Sequence, residues 1–263
     1  MSAYPPPKFD AIAYGGNAKF DTIAYGGNAE DVVLLRTFAG KQDGFFVDVG
    51  AGEPDVGSLT KNLVDRFGWR GVNIEPLPDQ FDMLVKARPL DVNLAVAVST
   101  EPGRVLFHRI LPTETLHGGA GLSTLKPEIV ALHRRTGWGV EDFEVDVVTL
   151  ESVLVEHASP GFDLLKVDVE GCEAAVLASA DLRTWRPRVV VVEATLPDTT
   201  IPSHKDWEPQ LLDCGYVLAL FDGINRFYAR ADEPDLAARL SIPANVTDRF
   251  IPAVYAQLLG LQI

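Results

Sequence analysis

Cysteine is scarce in this chain. Cys172 and Cys214 are the only two in 263 residues, too few for a disulfide framework and without the spacing of a metal-ligand pattern. Both are read as buried thiols. Cations are also in short supply: 23 Lys and Arg stand against 37 Asp and Glu, a formal charge of −14. A chain this acidic lacks the positive field behind most nucleic-acid affinity, so a nucleic-acid partner is excluded. Docking on anionic lipid is disfavoured for the same reason. No apolar run approaches the roughly 18 residues of a membrane span. The opening MSAYPPPKFD carries neither a basic leader nor an apolar signal core. The expectation is a reduced, cytoplasmic protein with no membrane segment. What is present is ordinary for a globular chain: 47% hydrophobic and 23% charged residues, at a length that buries a core without staples.

Residues 9–19 (FDAIAYGGNAK) are repeated at 20–30 (FDTIAYGGNAE) with two differences in eleven positions. Two short copies make no solenoid, and a local duplication is the simpler origin. The second copy runs into EDVVLLRTF, where Val32, Leu35 and Phe38 share helical spacing. That copy is taken as the working one. The organisation read from this is an N-terminal extension over 1–23 and a single domain over 24–263.

From Gly44 onward short β-branched runs alternate with longer mixed segments. The runs are FFVDVG (45–50), GVNIEP (71–76), VNLAVAV (92–98), FDLLKVDVEG (162–171) and RVVVVEA (188–194). SLTKNLVDRFG lies between the first two and EAAVLASADLRTW between the last two, each a plausible amphipathic helix. Strands alternating with helices predict an α/β fold, a parallel sheet with helices on both faces. An insert over 103–150 adds RVLFHRI and FEVDVVTL as further strands around a Gly-rich loop, 117–124, a candidate lid containing His117 and Ser123. Residues 216–231 read as a hairpin turning at Asp222-Gly223. Residues 233–263 read as helices broken at Pro243 and Pro252.

Chemistry concentrates where the strands end. Val47-Asp48-Val49-Gly50-Ala51-Gly52 closes one strand and opens a helix, and glycines there let the backbone turn tightly and approach a ligand. Glu75, 23 residues after Gly52 at the end of the next strand, is placed to accept both ribose hydroxyls of an adenosine. A dinucleotide turn wants a third glycine where this chain has Asp55, whose carboxylate would repel a pyrophosphate. Asp48 suits a cationic ligand instead. S-adenosylmethionine, with a sulfonium, an ammonium and no phosphate, satisfies both conditions, and a dehydrogenase is disfavoured.

The stretches AYGGNAEDVVLLRTF, GFFVDVGAGEP, GWRGVNIEP, FDLLKVDVEGCEAAVL, WRPRVVVVEATLP, GYVLALFDGINRFYA and SIPANVTDRF resemble, in order, those of the FkbM family of class I S-adenosylmethionine-dependent methyltransferases. The resemblance spans about 24 to 250. It implies a Rossmann-like class I methyltransferase fold: a seven-stranded, mostly parallel sheet with helices on both faces and a C-terminal β-hairpin. Two departures stand out: the copy at 9–19 has no counterpart, and Gly26 occupies a position where the family usually has Gln. Carried across residue by residue, the resemblance places Tyr25, Asn28 and Glu30 at the cofactor's methionine end. It places Asp48, Gly50 and Gly52 on the main turn, Glu75 on the ribose, and Ala97 and Val98 beside the adenine. Tyr25 is equally readable as a packed aromatic, and Glu30 as a helix-start acid favoured by the dipole.

Methyl transfer to an alcohol needs an acceptor in line with the sulfonium and somewhere for its proton to go. Asp168 and Glu170 end the fourth of the runs above and Glu193 ends the fifth, at the edge where open α/β sheets bind ligands. Like charges that close predict a raised carboxyl pKa or a bound Mg2+ on oxygen ligands, with Asp168, Glu193 and Glu170 as the metal set. His204, on the loop after Glu193, is the candidate imidazole for a base or a ligand. The catalytic set is thus Asp168, Glu193 and His204. Glu170 is also readable as a cap for the helix over 172–182, His204 as a solvated histidine, and Trp207 as either a sugar platform or core.

The family resemblance implies an O-methyltransferase acting on a hydroxyl of a sugar, oligosaccharide or glycoconjugate. The Ala/Val/Arg/Asp-rich composition hints at a high-GC actinobacterium, and taken with the family resemblance this implies a mannose- or rhamnose-containing polysaccharide. The alternatives are the hydroxyl of a polyketide or other secondary metabolite, and a binding module that has lost catalysis; intact Asp48, Glu75, Asp168 and Glu193 oppose the last. The expected partners are a small-molecule or oligosaccharide acceptor and, as an assembly, a homodimer.

Overall fold

The computed structural model describes residues 20–116 and 119–260; the first repeat copy and His117 lie outside them. The second copy supplies β1 (Thr22–Ala24), the glycine turn after it and helix α1 (Glu30–Phe38). Glu30 and Asp31 occupy the first turn of α1 and Arg36 its last, the arrangement that complements a helix dipole. The α/β alternation then begins: β2 (Phe45–Val49), α2 (Lys61–Phe67), β3 (Arg70–Ile74), α3 (Pro78–Ala87) and β4 (Val92–Leu94). The insert contributes β5 (Ala97–Val98), β6 (Gly103–Leu111), α4 (Pro127–Arg135) and β7 (Gly139–Val148). The alternation resumes with α5 (Leu150–His157), β8 (Leu164–Val167), α6 (Glu173–Ala178), α7 (Leu182–Trp185), β9 (Val189–Glu193) and α8 (Glu208–Asp213). The chain finishes with β10 (Tyr216–Phe221), β11 (Asn225–Arg230), α9 (Pro234–Leu240), β12 (Phe250–Pro252) and α10 (Ala253–Leu258).

Seven strands form the central sheet in the order β10-β11-β9-β8-β2-β3-β4. β11 runs antiparallel to both of its neighbours and the other pairings are parallel. This is the predicted fold. Because strand side chains alternate faces, Val190 and Val192 pack with Val153, Leu177 and Trp207 on one side. Val189 and Val191 pack with Leu34, Leu63 and Leu236 on the other. Both layers are apolar because helices cover both, as all-apolar strands required. No helix among the described residues is long and apolar enough to cross a membrane.

Local departures have local causes. VNLAVAV is two strands, not one: β4 ends the main sheet, and β5 joins β7 and β6 in a separate three-stranded sheet. A continuous apolar run carries no period to reveal such a break. The segment EAAVLASADLRTW is two helices. Ser179 donates to Val176 O and takes Leu150 N, and Asp181 caps α7; short polar side chains that bond nearby backbone interrupt a helix. In the tail, β12 pairs in parallel with β1 in the register Thr22↔Phe250, Ile23↔Ile251 and Ala24↔Pro252. The boundary read at 23/24 therefore falls inside a paired strand.

Candidate active site

One cavity of about 390 Å³ opens at the carboxyl edge of the central sheet, between the sheet and the insert. At one end β2 runs into the glycine turn. Gly50 has φ 76 and Gly52 φ 62, in the left-handed region that favours glycine. A Cβ on Gly50 would lie 1.8 Å from the carbonyl oxygen of Asp168, so no other residue fits there. Gly52 faces open space. Its N–H donates to Glu75 Oε2 at 2.9 Å, and Leu77 N–H donates to Oε1 at 2.9 Å. Glu75 is 5% exposed. Burial pushes its carboxyl up to about 7, against the pull of those two donors. Ala97, Val98, Leu77 and Phe107 wall the same end. The turn, a buried carboxylate with further lone pairs, and apolar walls together fit the adenosine half of a sulfonium cofactor.

The other end is acidic. Asp168 and Glu170 line the cavity, and one carboxylate oxygen from each of Asp168, Glu170 and Glu193 falls within 4.8 Å of the others. Oε2 of Glu170 and Oε2 of Glu193 are buried without a hydrogen-bond partner. Burial, and next the charge of Asp168, hold both carboxyls well above the usual range. Glu170 also sits at φ 54, a costly conformation for a residue with a Cβ. Glu170 does not cap the helix: α6 has no side-chain cap, and the preceding loop is held instead by Glu173 Oε1, which accepts from Gly171 N at 2.9 Å and Val169 N at 3.3 Å. The carboxylate of Glu170 is thereby left for something else.

Between the two ends stands Lys166, which sequence reasoning passed over. It is 5% exposed and lines the cavity. Its Nζ donates to Gly50 O and lies 3.2 Å from Asp48 Oδ1 and 3.6 Å from Asp168 Oδ2. Burial alone would lower its pKa, but Asp48 and Asp168 more than offset that and hold it above the usual lysine range. The signal was a lone Lys in an apolar strand, with Asp48 directly opposite it in register. Asp48 itself is 1% exposed and turned toward Lys166. Burial raises its carboxyl and Lys166 opposes the rise.

The other expected residues lie around this frame. Glu30 Oε2 accepts from Asn28 N, and Oε1 from Asn225 Nδ2, both at 2.9 Å. Asn225 is the β11 partner of Glu193, so Glu30 reaches the acidic edge through one amide. Asp31, also missed, is fully buried and accepts from Tyr25 N, Gly26 N and Asn62 Nδ2. The Gly26 departure has a local consequence, since a Cβ there would lie 2.3 Å from Glu30 Oε2. Tyr25 meets the cavity wall through its carbonyl, which accepts from Gly57 N, while its ring lies under Lys61. Asn28 is exposed. Asp55 pairs with Lys61 at 2.8 Å.

His204 is not brought into the cavity lining. Its Nε2 is 3.9 Å from Glu208 Oε2, and burial lowers its pKa. Trp207 is core, 2% exposed and edge-on to Tyr228. From the insert, Gly119 to Gly121, Ser123 and Leu125 line the cavity. Ser123 Oγ is occupied, donating to Ala120 O of its own loop and accepting from Ile110 N of β6. Cys172 lines the cavity as well, its thiol pushed up to about 11 by burial.

A family model, the methyltransferase FkbM domain, matches residues 48–218. Among solved structures, the methyltransferase FkbM from Methylobacillus flagellatus KT aligns with a TM-score of 0.44 and 14% identity, over 72% of this chain and 43% of that one. This chain thus spans less than half the length of that protein. No curated protein matches the sequence.

Proposed function

The chain belongs to the FkbM family of methyltransferases, and from that membership we propose that it moves the methyl group of S-adenosylmethionine to a hydroxyl of a sugar, oligosaccharide or glycoconjugate. The observation that carries the proposal is the two-ended cavity: a glycine turn and Glu75 at one end, and Asp168 and Glu170 at the other, with a carboxylate oxygen of Glu193, outside the lining, within 4.8 Å of theirs. When bound, the cofactor supplies both the electrophilic methyl and its leaving group. Glu75 and the Gly52 turn hold the ribose, and Ala97 and Val98 flank the adenine. Tyr25, Asn28 and Glu30 close over the methionine end.

An alcohol is a poor nucleophile until its proton is taken, and the acidic end meets that need. Asp168, the member of the cluster that faces both Lys166 and the cavity, takes up the proton as the sulfonium charge is lost. Glu170, on the cavity wall, binds an acceptor hydroxyl, and Glu193 stands beside it with its carboxylate outside the lining. The same oxygen-only donor set fits one Mg2+ on Asp168, Glu170 and Glu193. Such an ion would supply acidification of a coordinated hydroxyl. His204, outside the cavity lining, stands outside this scheme.

The test is methyl transfer from the labelled cofactor to a panel of saccharides, including mannose- and rhamnose-containing oligosaccharides, beside polyketide alcohols, each with and without chelator. Methylated saccharide is the expected product. Transfer confined to polyketide alcohols would change the acceptor class, and full turnover in excess chelator would remove the metal and leave Asp168 as the base. Micromolar NAD binding with none of the sulfonium cofactor would end the reading.

A further inference from the structure

We propose that Lys166 is a positioning residue that fastens the glycine turn of the cofactor end to Asp168 at the acceptor end, so that filling the first end steadies the second. The inference rests on the methyl-transfer reading above. The ammonium of Lys166 donates to Gly50 O and lies within ion-pair reach of two carboxylates, Asp48 Oδ1 at 3.2 Å and Asp168 Oδ2 at 3.6 Å. A counter-ion for Asp48 alone would need only the first of these carboxylates. Lys166 reaches past its cross-strand neighbour to the carbonyl of the left-handed Gly50 and to a carboxylate on the cavity wall.

The backbone repeats the connection. Asp168 N–H donates to Val49 O at 3.0 Å, and the carbonyl of Asp168 occupies the space where a Cβ of residue 50 would stand. Displacing the glycine turn therefore displaces Asp168 at three points, one of them the lysine. A compact ammonium suits this task better than a guanidinium, whose planar fork presents its donors in one plane. Because coupling between two ends of a site is reciprocal, an occupied cofactor end and an ordered acidic end favour one another.

Hydrogen–deuterium exchange on the full chain, with and without saturating S-adenosylhomocysteine, reads this without any acceptor. In the wild type, ligand should slow exchange both at 50–53 and at 166–172. Asp48→Asn keeps the lysine and should protect both segments. The double variant Asp48→Asn/Lys166→Met removes both members of the buried pair and should protect the turn as before but 166–172 only by what the backbone contacts transmit. Its 166–172 segment should exchange about tenfold faster than in the liganded wild type. Should the double variant not fold, Lys166→Gln is read against the same two segments. Equal protection of both segments without the lysine overturns the tie alone. A wild-type chain that binds no S-adenosylhomocysteine overturns the methyl-transfer reading and the tie with it.

Discussion

The two ends of β8 carry buried acids in opposite circumstances. At the amino end Asp163, 4% exposed, accepts from Phe45 N and pairs with Lys41 and Arg188. Arg188 also pairs with Glu233, which Arg230 joins, and Arg188 holds the Glu233 carboxyl below the usual range. Each of these acids has more than one cation. At the carboxyl end, a few residues along the same strand and its continuation, Lys166 is, among the described residues, the one cation within ion-pair reach of Asp48 and Asp168, while Glu170 and Glu193 keep unpartnered oxygens. A buried charge is tolerated when paired and costly when not. The first arrangement holds the sheet together, and the second stores unfavourable electrostatics at the place where a ligand can relieve it.

That contrast is open to attack by substitution. The largest effect is expected at the carboxyl end: Asp168→Ala or Glu193→Ala should cut turnover by roughly 10²–10⁴. Affinity for S-adenosylhomocysteine should stay within a few-fold, and the melting temperature should hold or rise, because a like charge has gone. Steady-state kinetics beside calorimetry checks all three, and near-normal turnover in both variants would dissolve the distinction. At the amino end Asp163→Asn should do the reverse. Unfolding in urea should show a loss of about 2–3 kcal/mol, at the lower edge for a broken buried pair because Lys41 and Arg188 are partly solvated. Activity per folded molecule should be unchanged.

The smallest of the three effects concerns Glu75. Ribose hydroxyls donate to the ionised carboxylate, and the free chain holds this carboxyl at about 7. Affinity for an adenosine ligand should therefore rise with pH through about 7 and level off above it. Binding at about pH 6 should be roughly tenfold weaker than at about pH 8. Measured with 5′-methylthioadenosine, which does not titrate in that window, a flat profile would remove Glu75 from the ribose.

The contrast also sorts what the sequence disclosed. Parallel strands buried on both faces are apolar until they leave the sheet. Asp48, Glu75, Asp168 and Glu193 were therefore visible as polar breaks, and the alternation of runs with helical segments gave the fold. What stayed hidden depended on where side chains turn. Lys166 reads in sequence as a single polar interruption, and only its register against Asp48 makes it a partner. Glu170 is readable in sequence as a helix cap, and only the left-handed backbone at 170 and the bond from Gly171 N to Glu173 show that it is not one. His204 was placed by loop proximity, but the loop does not carry it into the cavity lining. β12 was missed because three residues carry no pattern.

The β1–β12 pairing ties the two extremities of the described chain side by side. Asp21 N–H adds a bond to Arg249 O, and Arg36 grips Asp248. The loop that presents Tyr25, Asn28 and Glu30 begins one residue after β1. A cut or a premature stop near 249 would thus act far from where it falls: it would strip the partner strand from β1 and loosen the segment proposed to cap the cofactor, while sparing every strand of the central sheet. A preparation clipped at its carboxyl end could keep its α/β spectrum and still lose its grip on the ligand, so the mass of the intact chain belongs beside any binding constant measured for it.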